Sequence, residues 1–426
     1  MKKIFIHIDK LGPIKNVDIE LAQLMLFTGA SNLGKSYTNF LVYYVFSTFA
    51  NNRISKFISN KIEGRINQSD NFNFVFKISE LCIWMSDDVK SFFQNLLGYD
   101  SIPCEVIFKF ETDSDILDVV YMKKDEEFEF DNEKLYFSSV KINGNKRVFL
   151  ADLFSPISII SNSIASFLSG ELFGKQIEHA FLLPPGRASL LDNSYSVQKG
   201  ASKVGMYDLF LRDYDILSGK LMLEEAKIPD KQFFESKISK LIGGELYTSK
   251  DGTVLKLKDG TSIPLSAAAS SIKELSPILL WMKNRKIGTD SICIEEPEAH
   301  AHPEMQYNIA DLLVACLNKG AFMQITTHSD YLLSRLNQLI ELHKIRQSDE
   351  LAFFQYCEKY KHTKSVVLDS NLIKAYYFYL DDNNQVKIKQ QDLLEGIPFE
   401  SFSFIVNKQV EIEDALNLYK DKTEDE

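Results

Sequence analysis

Few features of this 426-residue sequence could staple it, anchor it or coat it with one sign of charge. Its five cysteines, Cys82, Cys104, Cys293, Cys316 and Cys357, lie far apart with no CxxC pair, which excludes a disulfide framework and a zinc knuckle and fits a reducing compartment. The longest apolar stretch, residues 39–50, is much too short to span a bilayer. The opening MKKIFIHIDK carries a basic pair, but its apolar run breaks at His7 and Asp9, so no signal peptide is expected and the cytoplasm is the expected location. Basic excess is missing too: 48 Lys and Arg against 59 Asp and Glu give a net charge of −11. That excludes a surface coating nucleic acid over its whole extent, while leaving room for a local basic groove. There is no repeat, heptad array or low-complexity linker.

What is present is ordinary globular material, with 45% hydrophobic and 25% charged residues. The length suggests two or three cooperating lobes. Residues 3–8, 17–21 and 24–28 read as short strands, followed by a core helix from about 35 to 50. The stretch 51–175 differs in character, with helices near 80–97 and 156–173, strand-like CEVIFKF and ILDVVYM, and an acidic patch at 124–133; it reads as an inserted α+β lobe. HAFLLPPGRASLL returns to a buried strand, and Asp251-Gly252 and Asp259-Gly260 signal hairpin turns within 244–264. LSAAASSIKELSPILLWM reads as a helix with Ile272, Leu275, Leu279 and Met282 on one face and a kink at Pro277. SICIEE and AFMQITT read as buried strands on either side of a helix that Pro303 opens and Gly320 ends. After 345, strands are expected near 351–356, 374–380 and 385–389 in a small C-terminal α+β piece, before the acidic KDKTEDE. Strand and helix in alternation imply a mainly parallel sheet covered on both faces.

The strongest chemical signal is Gly29-Ala30-Ser31-Asn32-Leu33-Gly34-Lys35-Ser36, a full GxxxxGK[ST] between an apolar strand and a helix. Such a loop turns backbone N–H groups towards phosphates, Lys35 reaches the β and γ phosphates, and Ser36 holds Mg²⁺. The ligands expected are therefore ATP and Mg²⁺. Further on, the apolar run SICI ends in Glu295, Glu296, Pro297 and Glu298. In ITTHS, His328 stands where a strand gives way to a helix, a position from which an imidazole can hydrogen-bond a γ-phosphate. His300 and His302, with Glu304, invite a metal reading, but no cysteine or further histidine is spaced to complete a tetrahedral set. Arg187 can meet a phosphate or tie down its own loop.

KLGPIKNVDIEL, the P-loop, LLPPGRASL, LSAAASSIKELSPILLWM, ICIEEPEAHAHPE and ITTHSDYLL occur in an order that resembles the ABC-like ATPases of the OLD, RecF and Rad50 type. The resemblance is greatest to compact OLD-like ATPases of bacterial anti-phage systems such as PARIS and Septu. It implies a P-loop NTPase with an ABC-type head over 1–50 and 176–345, the lobe 51–175, and a C-terminal subdomain 346–426. By it, Glu295 orients the Mg²⁺ shell, one methylene longer than the family's aspartate, and Glu296 activates the attacking water. By it, too, Ser266 opens a signature loop that grips ATP held by a second copy, with alanines where glycines are usual; Ser266 or Ser271 as a helix N-cap is the equally open alternative. The segment holding His300 and His302 would face that partner. A Q-loop glutamine is not located, with Gln176 and Gln198 as candidates.

The larger OLD nucleases carry a TOPRIM domain with separated catalytic acids, and Asp381-Asp382 reads as part of a turn and not as such a metal-binding pair. The reading is thus an ATPase without its own nuclease, a homodimer or higher oligomer through its ATP sites. It would control a separately encoded effector, in anti-phage defence, with no membrane partner. A RecF-like DNA-binding repair ATPase and a slow-turnover nucleotide-bound scaffold are the alternatives, DNA being possible though not indicated by charge.

Overall fold

A computed structural model describes residues 1–66, 68–130, 133–150, 153–192, 204–219, 228–249, 252–399 and 406–417. In chain order, the first half holds β1 (Ile4–Leu11), β2 (Ile14–Glu20), β3 (Leu24–Gly29), α1 (Lys35–Ala50), α2 (Ser55–Ile66), β4 (Asn71–Lys77), α3 (Ile78–Leu97) and β5 (Cys104–Phe110). β6 (Ile116–Phe130), β7 (Glu133–Ile142), β8 (Asn145–Leu150), α4 (Pro156–Phe173), β9 (His179–Leu183), α5 (Arg187–Asp192), α6 (Gly205–Leu217) and α7 (Lys231–Ile242) follow. The remainder holds β10 (Gly244–Ser249), β11 (Gly252–Leu257), β12 (Ser262–Pro264), α8 (Ser270–Asn284), β13 (Asp290–Glu295), α9 (Pro303–Asn318), β14 (Phe322–Thr326), α10 (Asp330–Ser348), α11 (Glu350–Tyr360), β15 (Ile373–Leu380) and β16 (Val386–Gln390).

A six-stranded sheet in the order β16-β15-β3-β14-β13-β9 forms the centre. The pairs from β9 to β15 are parallel, and only β16 runs against its neighbour. The sheet divides two apolar cores. Met25, Phe27, Leu182 and Cys293 point into one, and Leu24, Leu26, Leu183, Ile292 and Ile294 into the other. Burial on both faces is why LMLFTG and DSICIE show no polar alternation. Helix α1 lies across β3, β14, β13 and β9 on the first face, and α6 to α10 supply the second. The architecture is α/β, with the helices on both faces of a mainly parallel sheet.

Three smaller antiparallel sheets surround this centre: β2-β1-β5, β10-β11-β12 and β4-β6-β7-β8. The second is the hairpin meander expected over 244–264, although Asp251 lies outside the described residues.

Within the stretch 51–175, β4, β6, β7 and β8 form a sheet of their own, while β5 pairs with β1, and Phe92, Phe93, Leu168 and Phe173 share the core that holds α1. Two expectations need correction. The C-terminal strands do not form their own subdomain, because β15 lies parallel to β3 and extends the central sheet. Residues 351–356, expected as a strand, belong to α11. Its N-cap Asp349 accepts a hydrogen bond from the Ala352 N–H at 2.9 Å, and Phe353 and Cys357, four apart, are buried on one side. The acidic tail 420–426 lies outside the described residues.

The junction of β3 with the loop after it depends on glycine. Gly29 has φ +118°, and a Cβ there would lie 2.1 Å from the carbonyl oxygen of Phe378 on β15. Gly144, in the β7–β8 turn, has φ +85° with open space around it. Gly29→Ala is expected to destabilise the fold by more than the ~1–3 kcal/mol that left-handed strain alone costs, and Gly144→Ala by no more than that. Denaturant unfolding of the two variants checks this; equal losses would mean that the β3–β15 approach is not tight.

Candidate active site

The chain leaves β3 at Gly29, turns through Asn32 (φ 63°) and Gly34 (φ 94°), and enters α1 at Lys35. Gly34 is the N-cap of α1 and supplies no side-chain cap, so the first amides of a sixteen-residue helix face the loop. Amides so placed, with the helix dipole behind them, favour an anion. Lys35 is 6% exposed, and its ammonium donates to the carbonyls of Gly29 (3.0 Å) and Ala30 (2.6 Å). Burial pushes its pKa down to about 8, against the opposing pull of Glu295 and Glu296.

Parallel pairing brings the acidic strand end beside this loop. Glu295 pairs with Thr326 on β14, and Thr326 with Phe27 on β3, so the ends of three strands lie side by side. The Ser36 hydroxyl donates to Glu295 Oε2 at 2.5 Å, and the Asn39 amide donates to Glu295 Oε1 at 2.6 Å. The extra methylene of glutamate therefore reaches the P-loop serine. Burial raises the Glu295 pKa, and the hydrogen bonds from Ser36, Asn39 and Thr326 work in the opposite direction. Asn39 was not singled out in the sequence, yet its place three residues after Ser36, on the same helix face, is a readable signal.

Glu296 is half-buried and has a left-handed backbone, φ 47°. Its N–H donates to the Thr326 carbonyl at 3.1 Å. His328 is exposed at the rim, and its own N–H donates to Glu298 Oε1 at 2.7 Å. Burial and the charge of Lys35 lower its pKa, while Glu296 raises it.

A cavity of about 480 Å³ is lined by Ser31, Asn32, Gly34, Lys35, Ser36, Glu295, Glu296 and His328, together with Pro13, Tyr37 and Thr326, which the sequence did not mark. Gly29, Ala30 and Leu33 belong to the same loop without lining it. Ser266 is not in the cavity. It lies exposed on a short 3-10 turn before α8, with its carbonyl accepting from the Lys273 ammonium at 3.4 Å. The helix-cap alternative fails, since Ala269 is the N-cap of α8 and no side chain caps it.

His302 is the N-cap of α9, its Nδ1 accepting from the Glu304 N–H at 3.4 Å, and among the described residues no group of three His, Cys, Asp or Glu is placed to hold a metal. Arg187 is fully buried and ties down its own loop, so it does not meet a phosphate. Gln176 is exposed and does not line the cavity, and Gln198 lies outside the described residues.

The strand order, the loop and the facing acidic strand end decide the class. The fold is that of a P-loop NTPase. The AAA_15 family model, described as an AAA ATPase domain, matches residues 217–333, a minority of the chain that includes Glu295, Glu296 and His328 but not the P-loop. No curated protein sequence matches the chain. Among solved structures, the chain is similar to the SMC head domain from Thermotoga maritima, at 10% identity and a TM-score of 0.35 over 92% of this chain and 100% of that one. It is also similar to a SmcHead bound to the C-winged helix domain of ScpA (13% identity, TM-score 0.39, over 92% and 98% of the two chains). A third is an Smc head domain with an extended coiled coil, bound to the C-terminal domain of ScpA derived from Pyrococcus furiosus (12% identity, TM-score 0.37, over 98% and 100%). No helix among the described residues is long and apolar enough to cross a membrane.

The lowered pKa of Lys35 has a signed consequence. Between about 8 and the ordinary 10.5 the unfolded chain holds a proton that the folded chain has released, so this group makes the fold more stable as pH rises through that window. Phosphates bound beside it favour the ammonium form. ATP binding is therefore expected to take up protons near pH ~8.5 and to weaken as pH rises from ~7 to ~9.5. Calorimetry in buffers of unlike ionisation enthalpy reads both effects; pH-independent affinity with no uptake would contradict the assignment.

Proposed function

We propose that this chain is an ATP-hydrolysing switch whose site is completed by a second copy. The observation that carries the reading is the 2.5 Å hydrogen bond joining Ser36 of the P-loop to Glu295 of the acidic strand. Mg²⁺ fits that donor set, because a hydroxyl and a carboxylate are the hard oxygen ligands it takes, and the carboxylate is one that burial leaves short of positive charge. When bound, the ion would offset phosphate charge. Amides of the loop and the Lys35 ammonium would hold the β and γ phosphates.

Glu296 takes the proton of a water whose oxygen bonds to the γ-phosphorus. The bond from that phosphorus to the bridging oxygen breaks, leaving ADP and phosphate. His328, kept largely neutral at pH 7 by its lowered pKa, donates a hydrogen bond to the γ-phosphate and so differs in its contacts before and after release. Exposure of Ser266 away from its own cavity supports a contact with nucleotide held by another subunit. Control of a separately encoded effector in anti-phage defence rests on the sequence resemblance alone.

Glu296→Gln is expected to bind ATP normally and to lower turnover by ~10²-fold or more, whereas Glu295→Gln is expected to raise the Mg²⁺ concentration needed for activity. Steady-state ATPase assays across Mg²⁺ concentrations check both, run with and without DNA. Normal turnover in Glu296→Gln together with loss in Glu295→Gln at unchanged Mg²⁺ dependence would reverse the two roles. A large stimulation by DNA would favour a repair ATPase.

A further inference from the structure

The left-handed backbone of Glu296 is not relieved by glycine, so its surroundings must hold it. We infer that Arg187 is a positioning residue that fixes the backbone of Glu296 and links it to helix α8. Arg187 lies between β9 and the acidic strand with no exposed surface. Its Nη1 donates to the carbonyls of Glu295 at 2.6 Å and Pro184 at 2.9 Å, and its Nη2 donates to the carbonyl of Glu296 at 3.2 Å. The Glu296 N–H is taken by Thr326 of β14. The residue is thus gripped from both sides, by a strand at its N–H and by a guanidinium at its carbonyl. That grip sets the direction in which its side chain leaves the strand and enters the cavity.

Only arginine offers enough donors in a rigid plane for several carbonyls at once. The charge is balanced by Glu274 of α8, itself 1% exposed. Its carboxylate oxygens accept from the N–H groups of Arg187 and Ala188, each at 3.1 Å, and Arg187 Nε donates to the Glu274 carbonyl at 3.0 Å. Helix α8 follows directly on the turn that carries Ser266. A movement of α8 therefore reaches Glu296 through one buried guanidinium. Arg187 does not line the nucleotide cavity, so it acts on turnover and not on affinity.

This inference rests on Glu296 as the base, and its test separates the two. Arg187→Lys is expected to lower kcat by ~10- to 100-fold with the affinity for a fluorescent ATP analogue within ~3-fold of wild type. Combined with Glu296→Gln, it is expected to add nothing to the loss from Glu296→Gln alone. Wild-type kcat in a folded Arg187→Lys protein, parallel loss of affinity and turnover, or additive losses in the double variant would each overturn it. Should Arg187→Lys not fold, Glu274→Gln decides: reduced kcat at intact affinity supports the link, and wild-type kcat overturns it. If Glu296→Gln itself turns over normally, the base assignment fails on its own. The clamp is then judged by hydrogen exchange at 295–298, which Arg187→Lys should accelerate and which an unchanged rate would contradict.

Discussion

The carboxylate of Glu295 is almost fully buried and receives hydrogen bonds from Ser36 and Asn39, and the rest of the site depends on that convergence. It brings together two segments more than two hundred and fifty residues apart, an arrangement that only the parallel register of β3, β14 and β13 makes possible. A shift of one residue in either pairing would turn Glu295 away from α1 and into the opposite face. Both apolar cores oppose such a shift, since each strand of the trio buries side chains on both faces.

Within the cavity, charges of both signs stand in surroundings that disfavour them. Burial lowers the pKa of Lys35 and raises that of Glu295. A triphosphate with a divalent cation would relieve both at once, and its binding would offset the cost in stability at which the fold holds these groups. Glu298 extends the arrangement: its Oε1 accepts from the Thr327 hydroxyl and the His328 N–H, each at 2.7 Å, while its buried Oε2 has no hydrogen-bond partner among the described residues. Arg187 thus holds the Glu296 backbone, and Glu298 separately holds the backbone of His328 at the rim of the cavity.

Much of this was legible in the sequence because it is local. The glycines and lysine of the P-loop, the apolar run before Glu295 and the strand-to-helix junction at His328 each carry their meaning within a few residues. What was not legible is what distance decides. β15 reads as a strand from its own residues, but nothing in IKAYYFYL says that it will lie beside β3. The aromatic LAFFQY reads as strand by composition, and the cap at Asp349 with the buried pair Phe353 and Cys357 makes it helix. The two readings of Arg187 could be separated only by burial, which a single sequence does not display.

On the proposed function, phosphates and metal occupy the space between the P-loop and Glu295, with Glu296 facing the γ-phosphate. The most direct measurement is a crystal structure of the Glu296→Gln protein with ATP and Mg²⁺. The triphosphate is expected along residues 29–36, with a cation bound between Ser36 and Glu295 and residue 296 within hydrogen-bond reach, ~3 Å, of a water facing the γ-phosphorus. Nucleotide bound elsewhere, or the direct Ser36–Glu295 hydrogen bond persisting with no cation beside it, would contradict it.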